Sequence, residues 1–127
     1  MKHVLVIITL VLAMCTSFAQ SNSSKQTAAE SAKQKAQLAA SEKVYKAAKA
    51  AFQAKPSPKT KKSYVDATVA FGTKTMMSPV LAPKQKYRGA LALYREALKL
   101  DPKNKEALNN KKLIEDIYTQ MGLPIPK

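Results

Sequence analysis

The sequence predicts an all-α protein, built as antiparallel helical hairpins, about four helices in all, behind a removable leader. Three observations carry that expectation. No stretch alternates apolar and polar residues over strand length between turn signals. The segments between proline and glycine punctuation are dense in Ala, Lys, Gln, Glu and Leu, which are strong helix formers. Six of the seven aromatic residues beyond the leader pair at seven-residue spacing, as Tyr45/Phe52, Tyr64/Phe71 and Tyr87/Tyr94. Seven residues are nearly two helical turns, so each pair shares one face of its own helix.

The elements follow in order. Met1-Lys2-His3 is a short cationic start, Val4 to Met14 is apolar except for Thr9, and Ser17-Phe18-Ala19 places small residues at −3 and −1 of a cut before Gln20. This is the layout of a cleaved secretory signal peptide over 1–19. Its apolar core is about 11 residues, well short of the roughly 20 that a spanning helix needs. Leu12-Ala13-Met14-Cys15 faintly resembles a lipoprotein box, but Met14 stands where a small residue is wanted, so a lipid anchor on Cys15 is not expected. Residues 20–26 read as a flexible tether. The helical domain then covers 27–121, and Thr27-x-x-Glu30 has capping-box form at its start. The first helix runs to Ala54, where Pro56 and Pro58 stop it. Ser57-Pro58 is an N-cap and first-turn pair for a second helix reaching about Met77. Pro79 and Pro83 bracket a loop, and a third helix spans Pro83 to Leu100. Asp101-Pro102-Lys103-Asn104 is a turn, with Asn104 capping a fourth helix to about Met121. Gly122 suits a left-handed cap, and Pro124 and Pro126 leave 122–127 as a tail.

Small residues between the paired rings (Ala48, Ala67) and Leu91 suggest interdigitating surfaces. With Leu38, Val44, Val65, Leu98, Leu108, Leu113, Ile114 and Ile117 they are expected to form one seam. The segment Met76–Pro83 is apolar for a loop, which leaves two readings: an internal cover over the open end, or an exposed contact for another protein.

Ala90-x3-Tyr94-x2-Ala97-Leu98-x-Leu100-Asp101-Pro102-x-Asn104 resembles the second helix and exit turn of a tetratricopeptide repeat (TPR). Tyr64-x2-Ala67-Thr68-x2-Phe71 has the spacing of that repeat's first helix, with weaker residue matches. Phe71 to Ala90 is longer than the family's spacing, which points to an insertion in the hairpin turn near Thr73–Gln85. Val44-x3-Ala48-x2-Ala51, ending at Pro56, is similar to a degenerate half repeat, and Glu106-Ala107-Leu108 begins like a further first helix that serves as a cap. The resemblance implies a hairpin stack with a protein-interaction role. It places a partner along the inner groove, at Lys62, Val65 and Val69 on the second helix and Asn109, Leu113 and Asp116 on the fourth. The two valines suggest a hydrophobic or helical partner, the chain's own first helix among the candidates. Roughly one full repeat with flanking halves also raises self-association, because repeats bury their faces on neighbours.

Composition narrows function further. Lys and Arg number 22 against 8 Asp and Glu, a formal net charge of +14. The single His3 and single Cys15 both fall in the leader, so the chain beyond it offers no thiol or imidazole for nucleophilic catalysis, zinc or haem. Glu115 and Asp116 are adjacent and diverge on a helix, Glu96 and Asp101 read as surface partners of Lys99 and Lys103, and no glycine-rich phosphate loop is present. No enzyme activity, cofactor or metal is expected. Residues 20–62 hold ten lysines and two acids. An alternative reading therefore makes the chain a cationic surface-binding protein, holding anionic polymers or lipid headgroups through Lys33, Lys43, Lys46 and Lys49. The plainer reading is a solvated helix face. Arg88 and Arg95 are the only arginines, which disfavours bidentate phosphate or base recognition, and export disfavours nucleic acid as a physiological partner. The expectation is a non-enzymatic scaffold or adaptor exported to the periplasm, cell envelope or exterior.

Overall fold

A computed structural model of the chain describes residues 27–127. The expected signal peptide (1–19), the tether (20–26) and Cys15 lie outside the described residues, and the capping box at Thr27–Glu30 stands at their very start. The architecture is all-α, with the order α1 (Lys2–Ala54), α2 (Pro58–Met76), α3 (Pro83–Leu100) and α4 (Lys105–Gln120), and no strand among the described residues. The chain divides into two units, Met1–Lys33 and Gln34–Lys127. Residues 27–33 of the first are helical and largely exposed; the helical hairpins belong to the second.

Local chemistry sets the boundaries. Ser57 Oγ accepts from the Thr60 amide at 3.1 Å while Thr60 Oγ1 accepts from the Ser57 amide at 2.9 Å, a reciprocal cap with Pro58 in the first turn. Asn104 caps α4 by accepting from the Ala107 amide at 3.0 Å. Gly122, at φ 65°, takes the left-handed conformation that ends α4, and its amide donates to the Thr119 carbonyl at 3.0 Å.

The rings join α1 to α2. Tyr45 stacks on Phe71 at 5.5 Å between centroids, Phe52 on Tyr64 at 5.7 Å, and Tyr45 tilts against Tyr64 at 6.1 Å. These contacts set α1 antiparallel to α2. Tyr94 acts differently from the other rings. It is fully buried between α2 and α3, with its ring over Gly72, where an added Cβ would sit 3.0 Å from Cε1. Around it Val65, Val69, Leu91, Ala97, Ala107 and Ile114 form the core, with Leu98, Tyr87 and Tyr118 partly buried at its edge.

Three expected core residues are exposed. Val44 is 61% exposed, Leu113 50% and Leu108 44%. α1 turns the face bearing Leu38, Tyr45 and Phe52 toward α2, and Val44 falls on the other side. On α4 the inward positions are Ala107 and Ile114, so Leu108 is rotated outward. The long turn is also reapportioned. Thr73–Met76 and Pro83–Gln85 are helical, leaving only residues 77–82 as loop. Within it Ser78 is buried and Val80 and Leu81 are half-buried, with Met76 buried just before, while Met77, Pro79 and Ala82 are exposed, so the segment is part cover and part open surface.

Candidate functional site

A cleft of about 380 Å³ opens between α2 and α4, lined by Asp66, Ala70, Thr73 and Lys74 from α2 and by Asn104 and Glu106 at the start of α4, with Val69 at its floor. Spacing explains the lining: Lys62, Asp66 and Thr73 fall on one stripe of α2, turned away from the stripe of Tyr64, Thr68 and Gly72 that faces the core. Lys62 and Asp66 form an ion pair at 2.5 Å, both well exposed. The cleft therefore carries both signs of charge around a lining that is mostly apolar.

The six partner residues expected from the sequence divide between core and surface. Val65 and Val69 are each 4% exposed and belong to the core. Lys62 lies on the open stripe of α2, Asn109 is exposed, Leu113 is half-exposed, and Asp116 pairs with Lys112 at 2.7 Å. Of the two valines that suggested a hydrophobic partner, only Val69 reaches the cleft, where it lies with Ala70 among Asp66, Thr73, Lys74 and Glu106. Nor does α1 fill it, since its rings pack on the other side of α2.

The groove wall connects to the core by a hydrogen-bond chain. Asn110 Nδ2 donates to the Tyr94 hydroxyl at 3.0 Å, that hydroxyl and Thr73 Oγ1 lie 3.1 Å apart, and Thr73 Oγ1 donates to Glu106 at 2.8 Å. Because the threonine proton points to the carboxylate, the tyrosine proton points to the threonine. Burial raises the Tyr94 phenol above its ordinary pKa, against the opposing effect of the bond that Asn110 donates to it.

A second polar node ties three helices together. Glu96 on α3 accepts from Tyr45 at 2.9 Å, from Lys49 at 2.9 Å, and from Tyr64. Lys49 also donates to the Tyr45 hydroxyl at 3.1 Å and lies 5.5 Å from the Tyr45 ring centroid. Burial alone would raise the Glu96 carboxyl, but the bonds from Tyr64, Lys49 and Tyr45 outweigh it and hold the group below its usual range. Tyr64, buried and bonded to that carboxylate, is pushed up to about 12. The hydrogen bond to Glu96, with that to Tyr45, raises Lys49. Sequence reasoning placed Glu96 on the surface beside Lys99. The missed signal is its register: Glu96 lies two residues past Tyr94, on the side of α3 that meets the ring stack of α1 and α2.

The lysines of the alternative reading are unequally available. Lys49 is engaged by Glu96, and Lys46 pairs with Glu42 at 2.6 Å, while Lys33 and Lys43 are exposed. Among the described residues no three His, Cys, Asp or Glu side chains converge on a metal-sized site, and no helix is long and apolar enough to cross a membrane. No family model, curated protein or solved structure matches the chain.

Proposed function

We propose that the chain is a non-enzymatic protein-interaction module of tetratricopeptide type, exported behind a cleaved signal peptide, whose α2–α4 groove takes a polar segment of another protein. The observation that carries this reading is the open, mixed-charge cleft between α2 and α4, bordered by Asp66, Thr73, Lys74 and Glu106. The helical-repeat-like hairpins supply a rigid frame for it, and the reciprocal cap at Ser57 and the buried Tyr94 hold its two walls. The charged groups bordering the cleft favour a segment with charges of both signs over a wholly apolar helix, because they would be left unmatched beneath a greasy partner.

Affinity capture from the exporting cell tests this, with the wild-type chain and an Asp66→Lys/Lys74→Glu variant as baits. Both positions are exposed, so the variant should melt within about 0.5 kcal/mol of wild type. It should lose a partner that the wild-type chain retains. Identical partners on both baits would refute the groove. N-terminal sequencing of the exported product should begin at Gln20, and an intact leader would refute the export reading.

A further inference from the structure

A larger cleft, of about 820 Å³, lies away from the α2–α4 groove, between the first turns of α3, the last turns of α4 and the tail 122–127. Its walls are Tyr87 from α3, Ile117, Tyr118 and Met121 from the end of α4, and Leu123 and Ile125 from the tail. Three of these stay open to solvent, Met121 at 62%, Leu123 at 47% and Ile125 at 40%. The cleft is held open by specific contacts. Gly122 turns the chain at φ 65°, the Leu123 amide donates to the Tyr118 carbonyl at 2.9 Å, and Arg95 Nη1 donates to the Pro126 carbonyl at 2.5 Å. The tail is thus tied near both ends, and Pro124 and Pro126 stiffen the span between them.

The charged side chains at the rim have one sign. Lys84 and Arg88 border the cleft from α3, and no Asp or Glu side chain does. Lys84 and Arg88 are four residues apart, on one face of α3. They stand in the first turns of a helix whose N-cap, Ala82, makes no side-chain capping bond and whose first turn holds no acid, so the partial positive charge of the helix end reinforces them.

We infer that this cleft binds a monomeric anionic amphiphile of the long-chain carboxylate class. The alkyl chain lies along Tyr87, Ile117, Tyr118, Leu123 and Ile125, and the carboxylate is seated at Lys84 and Arg88. Apolar walls with a few charged groups at one end are the usual makeup of a small-molecule site, and such sites run about 300–1,000 Å³. Size separates this ligand from a docked helix: a helix about 10 Å wide fills roughly 850 Å³ in two turns, so the cleft would grip no more than that. The Lys84–Arg88 pair, with no Asp or Glu side chain beside it, also sets this site apart from the mixed-charge groove of the proposed interaction module.

The test is calorimetric titration of the full chain with laurate below its micelle threshold, with dodecanol as the uncharged counterpart and phosphatidylglycerol vesicles as a separate arm. Laurate should bind saturably at one site, and dodecanol about tenfold more weakly, the equivalent of losing one charge-assisted contact. Lys84→Glu/Arg88→Glu should weaken laurate at least as much as the loss of the carboxylate does. Ile125→Asp, at a half-exposed tail position, should weaken both laurate and dodecanol, with both variants melting like wild type. No saturable laurate binding overturns the inference. So do equal affinities for laurate and dodecanol, unchanged binding by Ile125→Asp, or association with the vesicles in the absence of monomer binding.

Discussion

Glu96→Gln is the most informative single change, because one carboxylate collects bonds from three side chains on two other helices. Lys49 is 38% exposed, so its ion pair is screened and contributes about 0.5 kcal/mol, as pairs near the surface do. The bonds from Tyr45 and Tyr64 to a part-buried carboxylate are each taken at about 1 kcal/mol, below the usual figure for charged acceptors because solvent reaches the group. The substituted amide would keep an acceptor oxygen but not the charge, so about half of the total is lost, roughly 1–1.5 kcal/mol. For a domain of this size that lowers Tm by about 5–10 °C. The pH dependence gives a second readout. Glu96 titrates lower in the folded than in the unfolded chain, so its contribution is complete above the unfolded value, about 4.3, and is lost as pH falls through the folded one. Tyr64 and Lys49 are raised; their contributions are complete below their unfolded values, about 10, and are lost as pH rises through the folded ones. Urea unfolding followed by circular dichroism across acid, neutral and alkaline pH should show wild-type stability declining at both ends. Glu96→Gln should be less stable at neutral pH and should flatten the acid decline. Equal stability at pH 7, or an unchanged acid slope, would refute the node.

Tyr94 separates ring from hydroxyl. Tyr94→Ala should lose about 3–5 kcal/mol, since the ring is fully buried. Tyr94→Phe should lose only about 1 kcal/mol, because Thr73 and Asn110 are half-exposed and regain water; equal losses in denaturant melts would contradict the geometry. Val69→Asp places a carboxylate at a 4% exposed core position and should remove the far-UV helical signal at 25 °C or shift the urea midpoint by at least about 3 kcal/mol, whereas Asp66→Lys, one turn away on the open stripe, should leave the melt unchanged.

Most of the architecture was legible because it depends on local chemistry. Ser57-Pro58, Asn104 and Gly122 act through bonds within three or four residues of themselves, and each behaves as its residue type dictates. Ring spacing put Tyr45 with Phe52 and Tyr64 with Phe71 on single helix faces, and those two faces meet. Features that require two helices to be placed relative to each other were not legible. Leu108 and Leu113 carry no mark that distinguishes them from Ile114, and only the rotation of α4 about its axis sends the isoleucine inward. Glu96 had lysines close in sequence, and local proximity suggested the wrong partner, because its actual donors lie 32 to 51 residues away.

The groove shows most clearly how small the decisive difference is. Val65 and Val69 are four residues apart and so are Lys62 and Asp66, so either pair could mark a single stripe of α2. Choosing between them requires knowing how α2 is rotated about its axis. Two neighbours set that rotation. Gly72 admits the Tyr94 ring from α3, and Tyr64 and Phe71 stack on Phe52 and Tyr45 from α1. Once those faces are occupied, Val65 and Val69 fall on the buried side and Asp66 and Thr73 on the open one. The apolar stripe that suggested a greasy partner is what binds the helix to its own neighbours. A substitution that turned α2 would therefore change what the groove presents without altering any residue that lines it. Gly72→Ala, which sets a methyl 3.0 Å from a ring held by two hydrogen bonds at its hydroxyl, applies that stress at the point where rotation is fixed.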